Sequence, residues 1–168
     1  KKGIKKGDKV MLTLKNRYEF WFTMVALHKI GAVAIPATHM LKLHDIDFRI
    51  KNANVKLIVT VEEDRLIPDY EEAQKELGTD LVKCVIERDL DGWINFNKAI
   101  EEESDEFERP TGDGEVLADD ISLIYFTSGT SGLPKMVAHK QTYGLGHIPT
   151  AKYWHKVEED GIHHTAAD

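Results

Sequence analysis

Short apolar runs alternate with helix-like segments through the first half of the chain, and this alternation limits the fold more than any other feature. Four runs predict β-strands, at residues 10–14, 32–36, 56–61 and 81–86. The second run is apolar throughout, which is typical of a strand covered on both faces of a sheet. Strands separated by helices predict an α/β fold, with a mostly parallel, doubly wound sheet flanked by helices and right-handed crossovers.

The first predicted helix covers residues 17–30. Asn16 can cap it, and Glu19 stands three residues later, as in a capping box. Gly31 follows the last apolar residue and predicts the end of the helix. Apolar side chains cover most of the helix circumference, so we expect this helix to be largely buried.

Two further helices are predicted between the remaining strands. One ends at Asn54 and the other at Gly78. The apolar positions that mark them recur at helical spacing: Leu43, Ile46, Ile50 and Ala53 in the first, and Tyr70, Ala73 and Leu77 in the second.

The second half of the chain has weaker signals. Residues 93–103 predict a short helix, and the acidic residues 104–115 predict an exposed loop. Residues 141–157 predict a helix, although two glycines and a proline weaken its first half. Residues 161–168 predict the start of another strand.

Composition and charge favour a globular domain in a reducing compartment. The 168 residues are 42% hydrophobic and 30% charged, and no apolar run reaches the length of a membrane span. The single cysteine, Cys84, lies in an apolar run, which indicates a buried structural thiol and a cytoplasmic protein, or one of the mitochondrial matrix if the source is eukaryotic. Residues 1–60 carry 12 Lys and Arg against four Asp and Glu. These cations are spread along the chain without a recognition motif, so we predict no nucleic-acid partner.

The strongest functional signal follows a predicted buried strand at residues 123–126. The next nine residues offer four hydroxyl groups, two glycines and one ammonium, in the order TSGTSGLPK. Glycines expose backbone N–H groups and let a ligand approach closely. Such a loop predicts a site for an anion, most simply a polyphosphate.

This loop is not a Walker A loop. That motif places Lys directly after its second Gly and Ser or Thr after the Lys. Here two residues separate Gly132 from Lys135, and Met136 follows. Pro134 and the apolar residues after Lys135 predict a turn into a short strand, where a Walker loop would open into a helix.

The order YFTSGTSGLPK at residues 125–135 resembles the phosphate-loop signature of the adenylate-forming enzymes. A second match, LHKIGAVAIP at residues 27–36, is similar to the early helix–strand motif of the same superfamily. Ser131 and Met136 resemble the acetyl- and medium-chain acyl-CoA synthetase branch. The resemblance covers residues 1–168 as a partial N-terminal AMP-binding domain, and implies that the other N-terminal subdomains and the small C-terminal domain are absent from this chain.

The resemblance implies an acyl-CoA synthetase that uses ATP and Mg²⁺ to convert a short- or medium-chain fatty acid into an acyl-adenylate, and then transfers the acyl group to CoA. It implies that the chain alone holds no complete catalytic set and is inactive. His139 and Asp168 are further candidates for lining the acyl or nucleotide site. The residues implied for the ATP phosphates are Thr127, Ser128, Gly129, Thr130, Ser131, Gly132 and Lys135.

Three alternatives stay open at this point. The first is an adenylation domain for an amino acid or an aryl acid, because no residue that selects the acid is identified. The second is a P-loop NTPase or phosphotransferase, which the spacing to Lys135 disfavours. The third is a non-catalytic α/β binding module. No histidine or carboxylate pattern predicts a metal site of the protein's own.

Overall fold

The computed structural model describes residues 2–63, 65–128 and 132–164. One seven-stranded sheet organises them, with the strand order β5-β4-β3-β1-β2-β6-β7. Every neighbouring pair is parallel except β6–β7, which is antiparallel. The strands are β1 Lys9–Thr13, β2 Val33–Pro36, β3 Val55–Thr60, β4 Val82–Val85, β5 Ile94–Asn95, β6 Ile121–Thr127 and β7 Lys135–Lys140.

Helices connect the first four parallel strands in turn, so the α/β fold class predicted from the alternation is confirmed. With right-handed crossovers, the strand order places α1 on one face of the sheet and α2 and α3 on the other. The helices are α1 Glu19–Ile30, α2 Leu43–Ala53, α3 Leu66–Leu77, α4 Phe96–Glu101 and α5 Tyr143–Gly146, with short turns at Gly112–Gly114 and Thr150–Trp154. Within the described residues, no helix is both long and apolar enough to cross a membrane.

The central strands and the facing helix sides form a continuous apolar core. β1 and β2 bury their side chains almost completely, as expected for strands covered on both faces. α2 buries Ile46, Ile50 and Ala53, which confirms the face predicted from their spacing. Both predicted helix ends are also confirmed, because Asn54 and Gly78 adopt left-handed backbone conformations directly after α2 and α3.

The start of α1 differs from the prediction. The helix begins at Glu19 with Tyr18 at the N-cap position, and no side chain caps it. The predicted capping box of Asn16 and Glu19 is therefore wrong. The Glu19 side chain is 1% exposed, and its Oε1 accepts a hydrogen bond of 3.1 Å from Asn97 Nδ2. A tertiary contact to α4 has replaced the local cap.

The predicted burial of α1 is also wrong on one side of the helix. Thr23 and Leu27 are buried, whereas Trp21 is 67% exposed, Phe22 58% and Val25 60%. The exposed apolar side chains follow the spacing of one helix face. The helix packs one side on the sheet, and none of the described residues covers the other side.

The last part of the chain is less regular than predicted. In place of one helix over residues 141–157, α5 spans four residues and a single π-helical turn covers Thr150–Trp154. Gly144, Gly146 and Pro149 interrupt the segment, because glycine disfavours helix and proline removes a backbone donor. Residues 161–164 form no strand, so the described part of the prediction for 161–168 is wrong.

The middle segment matches its prediction with one addition. Residues 93–103 contain the expected short helix, α4, whose N-cap Asn95 accepts a hydrogen bond from the Lys98 backbone N–H. They also contain β5, the two-residue edge strand beside β4. The acidic residues 104–115 are mostly exposed, as predicted.

Gly31 offers a test of the packing at the end of α1. It has φ +70, and an added Cβ would lie 2.9 Å from Val116 Cγ2 and 3.1 Å from Lys6 Cγ. Gly31→Ala should therefore lower the free energy of unfolding by about 2 kcal/mol or more, because backbone strain and overpacking add. Urea denaturation followed by circular dichroism measures this change.

Gly78→Ala is the matched control for that experiment. Gly78 also follows a helix with positive φ, +56, but no atom lies within 4 Å of an added Cβ. Gly78→Ala should lower the free energy of unfolding only by the backbone strain, about 1 kcal/mol. Equal losses in the two variants would show that the contact between Gly31 and Val116 is not tight.

Cys84 should behave as a structural thiol. Its side chain is 5% exposed, and burial raises the pKa of the thiol to about 11. At pH 8 the folded protein should react with Ellman's reagent much more slowly than the protein in urea, because the thiolate is the reactive form. Equal rates in the two conditions would contradict a buried, protonated thiol.

Candidate functional site

The predicted phosphate loop joins the ends of β6 and β7. Thr127 and Lys135 are directly paired in the antiparallel register and form the last pair before the loop. Gly129, Thr130 and Ser131 were predicted as phosphate-binding residues, and they lie outside the described residues. The structure thus places the two ends of the loop, one carrying a hydroxyl group and the other a cation, opposite each other.

The alternation of side chains assigns the hairpin residues to two faces. Paired residues in an antiparallel ladder share a face, and every second residue returns to it. Thr127 and Lys135 therefore lie on the same face as Tyr125 and His139, whereas Phe126 lies on the opposite face. The hydroxyl and the ammonium at the base of the loop point to the same side of the sheet.

The loop ends are accessible to a ligand. Thr127, Ser128 and Lys135 are exposed, and within the described parts of the chain the Lys135 ammonium has no ion-pair or hydrogen-bond partner. Gly132 has φ +87, a conformation that side chains rarely adopt, so glycine is required at this turn. An exposed cation without a carboxylate partner remains available for an anionic ligand.

His139 lies in a series of rings that contact one another at tilted and edge-to-face angles, on the same face as Lys135. Its ring centroid is 5.8 Å from that of Tyr125 and 4.1 Å from that of Tyr143, and the Tyr143 ring also contacts His147 at 4.5 Å. Burial, and secondarily the neighbouring Tyr143, raise the pKa of Tyr125. His139 is four residues along β7 from Lys135, or about 13 Å. A ligand at the loop would have to extend along the strand to reach it.

Two acidic residues before β6, Asp119 and Asp120, stabilise the turn that leads into the strand. Asp120 Oδ2 accepts a hydrogen bond of 2.6 Å from the Leu117 backbone N–H and forms an ion pair of 2.8 Å with Lys6. Lys6 and then the Leu117 N–H hold the pKa of the Asp120 carboxyl below its usual range. Asp119 pairs with Lys140 at 2.6 Å. Both carboxylates lie at the end of β6 away from the loop.

The crevice where the chain reverses direction across the sheet is closed. In open α/β sheets, ligands usually bind at such a switch point, which here lies between the carboxyl ends of β1 and β3. Thr13 Oγ1 is 2.7 Å from Thr60 Oγ1 and 2.9 Å from the Tyr70 hydroxyl, and all three side chains are buried. Burial raises the pKa of Tyr70, so its hydroxyl stays neutral.

The described residues hold no group of three or more His, Cys, Asp or Glu side chains that could bind a metal ion. His39 has one carboxylate nearby, Glu63, at 3.9 Å, and His44 is exposed. Asp168, the second candidate for the acyl or nucleotide side, lies outside the described residues.

One part of the site was not predicted. Phe48 and Arg49 of α2 contact the ring of Phe126, at the end of β6. These residues are far apart in the chain, so periodicity within either segment carries no signal of the contact. The pair of Asp45 and Arg49 at helical spacing was the only local sign that Arg49 could be held in place.

The chain is similar to known proteins along almost its whole length. A family model described as AMP-binding enzyme matches residues 1–165. Over 169 aligned residues the chain is 34% identical to the mitochondrial acyl-coenzyme A synthetase ACSM5 of Mus musculus and to its counterpart in Homo sapiens. The alignment covers 99% of this chain but only 28% of each relative.

Solved structures share the fold. An acyl-CoA synthetase of Brucella canis superposes with a TM-score of 0.76 at 24% identity, covering 95% of this chain and 28% of that protein. Acetoacetyl-CoA synthetase of Streptomyces lividans gives a TM-score of 0.78 at 20% identity, over 93% of this chain and 25% of that protein. Because this family model matches residues 1–165 of the 168, the chain belongs to the family of AMP-binding enzymes.

Proposed function

We propose that this chain is part of the N-terminal domain of an acyl-CoA synthetase, and that its β6–β7 loop binds the phosphates of ATP. The activity belongs to a longer protein, because the chain spans about 28% of the length of the relatives it matches. The chain alone should be inactive. The pairing of Thr127 with Lys135 at the base of the loop carries the proposal.

The first half-reaction needs a positioned triphosphate. A carboxylate oxygen of the acid attacks the α-phosphorus of ATP, the bond to the β-phosphate oxygen breaks, and pyrophosphate leaves. Thr127 and Ser128 would donate hydrogen bonds to the β- and γ-phosphates, and the Lys135 ammonium would offset the charge that grows on the leaving pyrophosphate. No general base is needed, since a carboxylate is already a nucleophile.

We expect the groups that serve the second half-reaction to lie mostly outside this chain. The CoA thiolate attacks the acyl carbonyl, and the bond to the AMP oxygen breaks. Mg²⁺, when bound, would neutralise phosphate charge. Mg²⁺ often binds through substrate phosphates and only one or two protein carboxylates. The described residues contain no group of three or more metal-binding side chains, so we propose that the ion binds together with the ATP phosphates.

The substrate and compartment are proposed from the relatives. The relatives at 34% identity are named mitochondrial acyl-coenzyme A synthetases. Their names favour a fatty acid as the substrate acid, and mitochondria over the cytoplasm as the compartment. Cytoplasmic placement stays a prediction. An aryl acid is the second candidate, because an anthranilate CoA ligase shares the fold with a TM-score of 0.75 at 23% identity.

Acid-dependent ATP–pyrophosphate exchange tests the proposal. The full-length protein should exchange labelled pyrophosphate into ATP only when a suitable acid is present, and should form acyl-CoA when CoA is added. A panel of short- and medium-chain fatty, aryl and amino acids identifies the substrate class. ATP hydrolysis that needs no acid would favour an NTPase, and no reaction with any acid would favour a non-catalytic module.

Lys135→Ala in the full-length protein should lower kcat/KM for ATP by about tenfold to a hundredfold, because a phosphate loses a charge-assisted contact. Steady-state kinetics with saturating acid and CoA measures the effect. Lys140→Ala is the matched control, since Lys140 is an exposed lysine of the same strand that pairs with Asp119 at 2.6 Å. Equal losses in both variants would contradict a specific role for Lys135.

A further inference from the structure

Phe126 lies one residue before the last strand pair at the base of the phosphate loop. It pairs with Met136, and the next pair, Thr127 with Lys135, is the last before the loop. Its ring lies on the face of the hairpin opposite Thr127 and Lys135. A change in the position of Phe126 would therefore be transmitted directly to the last pair.

Helix α2 holds this ring through two consecutive residues. The Phe48 ring meets it edge to face, with 6.2 Å between centroids. The Arg49 guanidinium lies over it, 5.0 Å from the centroid. A cation near an aromatic face is attracted to the ring, and more strongly when it is removed from water. The Arg49 side chain is only 12% exposed, so this contact is well shielded.

The guanidinium is also fixed from its own helix. Arg49 Nη1 donates a hydrogen bond of 2.9 Å to the backbone carbonyl oxygen of Asp45 and lies 3.5 Å from Asp45 Oδ1. The planar group is thus held between the preceding turn of α2 and the Phe126 ring. Lysine could supply the charge but not the planar face.

We propose that Arg49 is a positioning residue for ATP binding: by holding the Phe126 ring it sets the last pair, Thr127 and Lys135, in the geometry that receives the phosphates. This inference rests on the proposed function. Arg49 touches no reacting atom in this account and acts only through Phe126.

Arg65 in α3 is a matched control within the same chain. It forms the same kind of ion pair one helical turn apart, with Asp69 Oδ1 at 3.1 Å. Its side chain is 74% exposed, and no aromatic ring lies under its guanidinium among the described residues. Arg65→Met removes a helical ion pair without touching the hairpin.

A double-mutant cycle in the full-length protein tests the inference. Arg49→Met and Phe126→Leu should each weaken ATP binding by about tenfold, seen in titration calorimetry and in the KM for ATP, with kcat and the KM for the acid changed much less. The double variant should be no weaker than the single ones, because both remove the same contact. Arg65→Met should leave ATP binding unchanged.

Each outcome decides between the claims. Unchanged ATP affinity in Arg49→Met, or losses that add fully in the double variant, would overturn the role of Arg49 and leave the proposed function standing. Absence of ATP binding by the wild-type protein would overturn both. If circular dichroism shows that Arg49→Met does not fold, Arg49→Lys decides the question. It should give a smaller loss that likewise disappears in the Phe126→Leu background, and an unchanged affinity would overturn the inference.

Discussion

The antiparallel pairing of β6 with β7 is the constraint on which the candidate site depends. β6 is part of the parallel sheet through β2, where Leu123 lies beside Ala34, whereas among the described residues β7 pairs with β6 alone. One end of the loop is therefore anchored in the buried sheet, and the other end is held by a single ladder of hydrogen bonds. This pairing brings the charge of Lys135 opposite Thr127, at the edge where the parallel strands end.

The closed crevice between β1 and β3 complements that arrangement. The buried hydroxyl groups of Thr60 and Tyr70 both form hydrogen bonds with the Thr13 hydroxyl. They lie at the switch point of the sheet, where many α/β proteins bind a ligand. Hydroxyl groups that are paired and buried are not available to a phosphate. The ends of the β6–β7 loop lie two strands away and carry the exposed cation Lys135, so we propose the anion site there.

The fold was largely predictable because its determinants are local. The apolar runs predicted the parallel strands except β5, and Asn54 and Gly78 end their helices by backbone chemistry that needs no tertiary partner. Two of the failed predictions concern α1, where residues distant in the chain decide the outcome. The Glu19 carboxylate accepts a hydrogen bond from Asn97 and does not cap α1. The exposure of Trp21 depends on which residues pack against the outer side of α1.

The candidate site divides in the same way. The order of Thr127, Gly132 and Lys135 predicts a phosphate loop, because phosphate binding favours hydroxyl groups, a left-handed turn and a cation close together. The contact of Arg49 with Phe126 was not predictable, since it joins a helix and a strand whose contacting residues are 77 positions apart in the chain. The side chains of the loop can be recognised from the local sequence. The contacts that hold Phe126 beside them come from the packing of α2 and cannot.

A crystal structure of the full-length protein with ATP is the most direct test of the central claim. The account predicts β- and γ-phosphate oxygens within hydrogen-bond distance of the Thr127 hydroxyl and the Lys135 ammonium, with Thr13, Thr60 and Tyr70 still bonded to one another. Phosphates bound between the ends of β1 and β3, with those hydroxyl groups turned toward them, would contradict it.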